Sequence, residues 1–508
     1  MSQPQSSPAS APADEIVEKS VRGAATTTLA GLLGRAAGLL TTLVVTHYVQ
    51  KTDYGQANLA LILATVVSAL TLLAPQQALL TRRDRFAEAA RLTQGYLLGS
   101  GLVVFAVLAL VGRPLLGLLH EPAALRLLQL YCVAMVLERV ALIPTVQLRY
   151  QLRFGELLRV DLFGDAVYVT VTISAAVLGS GALCLPLGYL ARQLARVLWL
   201  SLRLSLPLWP SLGDRLTGSG WAESRQLLGE LWRMTWPIYL SSLVELATLY
   251  MDNVFVGRVY SIGAQGVYAV GYTVIMTPSE TIAMYAASAL VRALGLQDPA
   301  LRRQNYLLGL RTVSLCLTPI AVGAVLLAQT FEAAVLPPRW HGVAQVMTWL
   351  SLGAVSLGFH RMAFAQLTAL HRSRLAAVIY ATQLGSFVLL LGLVAVTDPG
   401  RLHPERVAQA VSVALALAAL VGTVLTMGLT ALRPVELLAA VAPAGVATAL
   451  MAVGLLLWQV GAGRLGLPVT RLRLVGEVLL GIGCYALALR LLFPVLFGDA
   501  RRFIARRK

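Results

Sequence analysis

A chain of 508 residues that is 57% hydrophobic and only 13% charged, with a mean hydropathy of +0.73, has too little polar surface to cover a soluble core. Lipid as solvent accounts for both deviations, and the soluble globular classes are excluded. The net charge of +17 is scattered between apolar runs instead of lying on one soluble face with groove-reading elements, which excludes a nucleic-acid partner.

In chain order, residues 1–21 are polar, rich in Ser, Pro and Ala, and lack the basic and apolar regions of a signal peptide; they read as a disordered cytoplasmic tail. A membrane span needs about 20 mostly apolar residues. Such runs fall near 24–47, 56–80, 95–112, 125–147, 160–178, 183–202, 234–256, 265–290, 306–328, 344–368, 376–396, 407–430, 437–459 and 474–496, with Pro278 breaking the eighth. The prediction is an all-α integral membrane protein of about fourteen transmembrane helices, arranged as two pseudo-symmetric six-helix lobes plus two extra C-terminal helices. The N-lobe covers 22–203, a cytoplasmic linker 204–231, the C-lobe 232–432, the extra pair 433–497 and a basic cytoplasmic tail 498–508. The linker holds Pro207, Pro210, Gly213, Gly218 and Gly220, then a short amphipathic stretch from Trp221. Gly55 and Gly266 end matching short loops before the second and eighth runs, which supports an internal repeat.

Arginines in alternate loops orient the chain. Arg82, Arg83, Arg85 and Arg91, then Arg149, Arg153 and Arg159, then Arg203, Arg215, Arg225 and Arg233, and the tail from Arg501 mark the cytoplasmic side and place both termini there. The loop with Arg464, Arg471 and Arg473 runs against this trend. Cys132, Cys184, Cys316 and Cys484 sit in apolar runs without paired spacing and read as small buried hydrophobes, not as a disulfide framework or metal site. There is no P-loop, no HExxH, no GxSxG and no Asp-x-Asp sequence, and no loop long enough for an aqueous catalytic domain, so the chain reads as a non-enzyme.

Charges inside apolar runs cost about 2.5–3.5 kcal/mol on insertion scales and are therefore site candidates. Arg35 sits in the middle of helix one on a face shared with Gly31 and Gly38, a small-residue pattern that packs against protein and not lipid. Arg192 and Arg196 share one face of helix six, where two like charges need an anion or an acid between them. Arg22, near the cytoplasmic end of helix one, is either a topology anchor or a substrate contact, and Arg361, next to His360 in helix ten, is a further interior charge. Arg22, Arg35, Arg192, Arg196 and Arg361 form the candidate substrate-binding set. The adjacent Glu138 and Arg139 in helix four each need a partner; Asp161 and Asp165, on one face of helix five, are expected to supply structural ion pairing with them. In the C-terminal half, Glu245, Asp252 and Glu280 either bind a coupling H+ or Na+ or pair with Arg258 and Arg361; no other cofactor is expected.

Arg22-Gly23-Ala24 through Asp53-Tyr54-Gly55, Asp252-Asn253-Val254-Phe255-Val256-Gly257-Arg258 followed by Gly266-Val267-Tyr268, Arg153-Phe154, and Trp340 after Pro337-Pro338 together resemble the polysaccharide-exporting flippases of the multidrug/oligosaccharidyl-lipid/polysaccharide (MOP) superfamily. The likeness spans roughly 20–430 and is carried by the order and spacing of loose motifs; Lys51-Thr52-Asp53 departs from the usual Ser-Pro-Glu-like triplet. The resemblance implies a V-shaped two-lobe fold in a bacterial inner membrane. It also implies transfer of an undecaprenyl-diphosphate-linked oligosaccharide to the periplasmic leaflet by alternating access, with membrane lipids, a polymerase and a co-polymerase as partners. Lipid II flipping, multidrug export and membrane glycosyl transfer or ligation remain open as alternatives.

Overall fold

In lipid, a spanning segment must satisfy its backbone polar groups internally, and a chain without barrel-forming alternation does so as helices. The computed structural model describes residues 13–71, 86–203, 219–294, 299–397 and 403–494; some side chains within these ranges, Arg22 among them, lie outside the description, as do the expected tail 498–508 and linker segment 204–218. Among the described residues there are fourteen α-helices and no strands. The first seven are α1 (Ala13–Val45), α2 (Lys51–Thr71), α3 (Phe86–Leu118), α4 (Leu125–Tyr150), α5 (Phe154–Val177), α6 (Cys184–Leu198) and α7 (Ser219–Val259). The second seven are α8 (Ile262–Leu294), α9 (Pro299–Val335), α10 (Val343–Ala369), α11 (Ser373–Thr397), α12 (Glu405–Thr430), α13 (Pro434–Arg464) and α14 (Arg471–Leu492). Every expected run overlaps one of them, in order; residues 72–80 of the second run and 495–496 of the last lie outside the described residues.

Ten of these helices are long and apolar enough to cross a membrane: α1 from Thr28, α3, α4, α5 and α9 to α14. With them the chain is a multi-pass membrane protein. Among the other four, α6 has 15 residues, continues through a five-residue π turn at Trp199–Arg203, and carries its two arginines within that short length.

Helix ends depart from the hydropathy runs because polar helix formers extend a helix past its apolar part. Thus α1 starts at Ala13, so residues 13–21 of the expected tail are helical. The amphipathic stretch from Trp221 is not separate but continuous with the seventh run in α7. Pro278 does not break α8, which runs unbroken from Ile262 to Leu294. The hydroxyls of Ser279 and Thr281 donate to the carbonyls of Ile275 (2.7 Å) and Thr277 (2.6 Å), adding side-chain bonds to the helix on either side of the proline. Of the cysteines, Cys132 and Cys184 are buried, but Cys484 is half-buried and Cys316 is exposed. An apolar run does not reveal which of its faces meets lipid.

The chain divides by its internal contacts into Met1–Arg258 and Val259–Lys508, which assigns α7 to the first unit. In the first unit α4 is the hub, packing on α2, α3 and α6, while α5 packs on α1 and α6. In the second unit α10 is the hub, packing on α8, α9 and α12, while α11 packs on α12. The same scheme thus recurs six helices later, and more than half of each hub is buried, 14 of 26 residues in α4 and 16 of 27 in α10. Their ends match as well. Leu152 and His371 both adopt positive φ (58° and 57°). The next amide, of Arg153 or Arg372, donates back to Leu148 or Leu367, at 2.9 Å in each case. Gly55 and Gly266 each lie four residues into their helices, after the capping positions Gln50 and Ser261.

The extra pair, α13 and α14, packs on α9. Gln459 Nε2 donates to the Leu326 carbonyl (3.0 Å) and Tyr485 Oη to the Leu315 carbonyl (2.8 Å). The connecting loop explains its own anomalous charge. Arg471 donates to the Ala334 carbonyl, and Arg473 donates to the Leu467 carbonyl and pairs with Glu477 at 2.9 Å. These arginines make specific bonds inside the second unit, so they need not report topology.

Candidate substrate site

The site is built where α1, α5 and α6 meet in the first unit. Asp161, Asp165 and Tyr168 lie at i, i+4 and i+7 on one face of α5, and Tyr189, Arg192 and Arg196 lie at i, i+3 and i+7 on one face of α6. The helices are antiparallel, so the rungs count up one and down the other. Asp161 pairs with Arg196 (3.2 Å), Asp165 pairs with Arg192 (2.6 Å), and Tyr168 and Tyr189 line the same cavity one step further on.

Glycines let the helices come this close. A Cβ at Gly164 would stand 2.8 Å from Arg196 Cγ, and one at Gly188 would overlap the Thr172 hydroxyl. On α1, a Cβ at Gly34 would overlap Asp165 Oδ2, whereas at Gly38 it would meet open space. The small-residue face around Arg35 therefore does two things: it admits the Asp165 carboxylate and it leaves room.

That room is a cavity of about 550 Å3, within the range of ligand sites. Gly31, Gly34, Arg35 and Gly38 line it from α1, Arg149 from the end of α4, and the two faces of α5 and α6 complete it. From Leu157 to Tyr168 the lining spans about 16 Å along α5 at 1.5 Å per residue. Four arginines (35, 149, 192, 196) against two aspartates (161, 165) leave the described lining with a net charge of +2. The Nε atoms of Arg192 and Arg196 are buried without a hydrogen-bond partner, so the carboxylates do not use all that these guanidinium forks offer. A planar fork binds a phosphate group in two-point fashion, and a net positive cavity favours a multiply charged anion.

The structure thus brings Arg35, Arg192, Arg196, Asp161 and Asp165 together. It corrects the expected partnership of the two aspartates with Glu138 and Arg139. Glu138 instead accepts from Tyr189 Oη (2.9 Å), whose ring meets Tyr131 edge-on at 5.8 Å. Arg139, 2% exposed, turns away between α2, α3 and α4 and donates to the Ser68 carbonyl (2.9 Å), Ser68 Oγ (3.0 Å) and Ser100 Oγ (2.6 Å). Adjacent residues on a helix point about 100° apart, so the two charges serve different seams. Arg149, Tyr168 and Tyr189 were not anticipated. The tyrosines continue the helical faces of the charged residues, which is a readable signal; Arg149 was hidden by its resemblance to a topology anchor.

The remaining candidates lie elsewhere. Arg361 donates to Tyr380 Oη (3.0 Å), and its neighbour His360 is buried edge-on against the same ring at 5.2 Å. Glu280 accepts from Tyr272 Oη (2.8 Å) within α8. Asp252 is buried and accepts the backbone and side-chain amides of Asn253 (2.7 and 3.0 Å). Glu245 is half-buried and Arg258 exposed at the end of α7.

Solved structures share this fold. A lipid II flippase, MurJ, in an inward closed conformation matches with a TM-score of 0.72 at 12% identity, over 92% of this chain and 99% of that one. An inward-facing multidrug resistance MATE family transporter of the MOP superfamily matches with a TM-score of 0.61 at 14% identity, over 80% of this chain and 98% of that one. A MOP superfamily transporter from Pyrococcus furiosus matches with a TM-score of 0.52 at 14% identity, over 80% and 95%. The fold is that of the MOP superfamily of membrane transporters. No curated protein matches the chain by sequence. The family model described as polysaccharide biosynthesis protein matches residues 44–345, more than half the chain, and the chain belongs to that family.

Proposed function

We propose that this protein is a flippase that moves an undecaprenyl-diphosphate-linked oligosaccharide repeat unit from the cytoplasmic to the periplasmic leaflet of the bacterial inner membrane, for assembly of an exopolysaccharide, O-antigen or capsule. The observation that carries the proposal is the cavity of about 550 Å3 lined by Arg35, Arg149, Arg192 and Arg196 with a net charge of +2. A diphosphate diester carries two negative charges and offers oxygens to several guanidinium forks at once. Membership of a polysaccharide biosynthesis family supports a glycan on that diphosphate. The protein works by alternating access and performs no covalent chemistry. Both termini lie in the cytoplasm. Outward movement of two negative charges is favoured by an inside-negative potential, at about 2.3 kcal/mol per charge per 100 mV, and H+ or Na+ serves as coupling ion where more is needed. A polymerase and co-polymerase take up the product.

A second reading, flipping of a peptidoglycan precursor, uses the same diphosphate chemistry and is favoured by the fold shared with a lipid II flippase. One experiment separates the two. Depletion of the protein, with leaflet-resolved analysis of lipid-linked glycans, is expected to accumulate intact oligosaccharide repeat units on the cytoplasmic side, and Arg35→Ala at normal expression does the same. Accumulation of lipid II supports the second reading. Truncated glycans would make the protein an assembly enzyme and sink both.

A further inference from the structure

We infer that Asp161 and Asp165 are internal counter-ions that keep singly charged bilayer phospholipids out of the arginine cavity and let a doubly charged headgroup leave it. The inference rests on the proposed function and deepens it. A flippase cavity has to admit lipid headgroups, and in a bilayer it meets anionic phosphodiesters in large excess over any lipid-linked sugar. Four arginines without counter-charge would attract one negative charge about as strongly as a net +2 cavity attracts two, because Coulomb energy scales with the product of the charges. The structure holds the lining at +2 through two ion pairs, Asp161–Arg196 and Asp165–Arg192. The pairs are also direct competitors. Each carboxylate occupies an Nη2 atom that an incoming phosphate would use, while the neighbouring Nε atom remains without a partner. An anion must therefore bring enough charge to replace the carboxylates, and a carboxylate is at hand to take the arginine back when the anion departs. Gly34, where a side chain would overlap Asp165, and Gly164, where one would crowd Arg196, hold open the space in which these pairs form.

The test measures bound phospholipid, which is independent of transport. The full-length protein is purified from membranes containing phosphatidylglycerol, and the lipid remaining per protein is counted by extraction and mass spectrometry. Asp161→Asn/Asp165→Asn raises the lining to +4 and is expected to retain at least about fivefold more phosphatidylglycerol than wild type. Asp161→Glu/Asp165→Glu, which keeps the charge, and Asp165→Asn/Arg192→Gln, which restores +2 with one pair removed, are expected to retain wild-type amounts. If the double asparagine variant does not fold, the single Asp161→Asn variant, at +3, is expected to show an intermediate rise. Folded asparagine variants that hold no more phospholipid than wild type would overturn the inference. Binding of a polyprenyl-diphosphate-linked sugar to wild type is measured in parallel. Its presence with unchanged phospholipid retention overturns the counter-ion role alone, and its absence overturns the proposed function as well.

Discussion

Gly164 of α5 lies directly against the aliphatic stem of Arg196 of α6, so that a Cβ there would stand 2.8 Å from Arg196 Cγ and 3.2 Å from its Cδ. The arginine reaches Asp161 only by passing over this glycine. Gly164→Ala is expected to shift the stem and lower the melting temperature, and Gly164→Leu, an overpacking change, to cost about 1–3 kcal/mol and displace Arg196 from the cavity. Thermal unfolding in detergent and export assays on the two variants check this; a Gly164→Leu protein with full export would contradict it.

Stability and transport should separate at the Asp165–Arg192 pair. Arg192 is 32% exposed and Asp165 12%, so breaking the pair from one side is expected to cost a modest 1–2 kcal/mol or so. Replacing both with apolar residues of similar size, Asp165→Leu/Arg192→Met, is expected to recover most of that stability while export stays lost. Melting curves and export of the two singles and the double give the answer, and a double variant that exports normally would remove Arg192 from the substrate site.

Arg139 should behave in the opposite way. Its guanidinium satisfies the Ser68 carbonyl and two hydroxyls in the seam of α2, α3 and α4, and its stem lies 3.0 Å from where a Gly101 Cβ would be. Arg139→Met removes these hydrogen bonds from the seam, at about 1–3 kcal/mol in all. The expected result is low yield and a lowered melting temperature, with unchanged affinity for lipid-linked substrate in the fraction that folds. A selective loss of affinity would place Arg139 in the site after all.

Among the described residues, the C-terminal pair is fastened to α9 by three side-chain bonds to backbone carbonyls, from Gln459, Tyr485 and Arg471, and by the Arg303–Glu436 ion pair. Tyr485→Phe and Gln459→Leu each remove one, at about 1 kcal/mol apiece. Faster hydrogen exchange confined to α13 and α14 is expected, with α9 and α10 unchanged. Loosening that spreads through the second unit would mean that these helices are part of its core.

Helix number was legible because lipid imposes a length on each apolar run, and the fourteen runs map in order onto the fourteen described helices. Helix ends were not, because α1 and α7 continue through polar residues that hydropathy discounts. The cavity charges were legible for a related reason: an arginine or aspartate in an apolar run stands out by its cost. Their partners were hidden because pairing depends on how helices are rotated and registered against one another. Glu138 and Arg139 are sequence neighbours that serve different seams, while Asp165 and Arg192, far apart in sequence, form one contact. Arg149 shows the converse difficulty, since a helix-end arginine reads the same whether it anchors topology or faces a cavity.

The burial of Arg139 also bears on how the chain enters the membrane. A mid-helix arginine weakens the insertion of α4 taken by itself. Ser68 of α2 and Ser100 of α3, which receive its hydrogen bonds, are both synthesised earlier. Likewise α5 delivers Asp161 and Asp165 before α6 brings Arg192 and Arg196. In both cases the ribosome releases the acceptors before the arginine that needs them, so α4 and α6 leave the translocon beside segments already able to receive their charge.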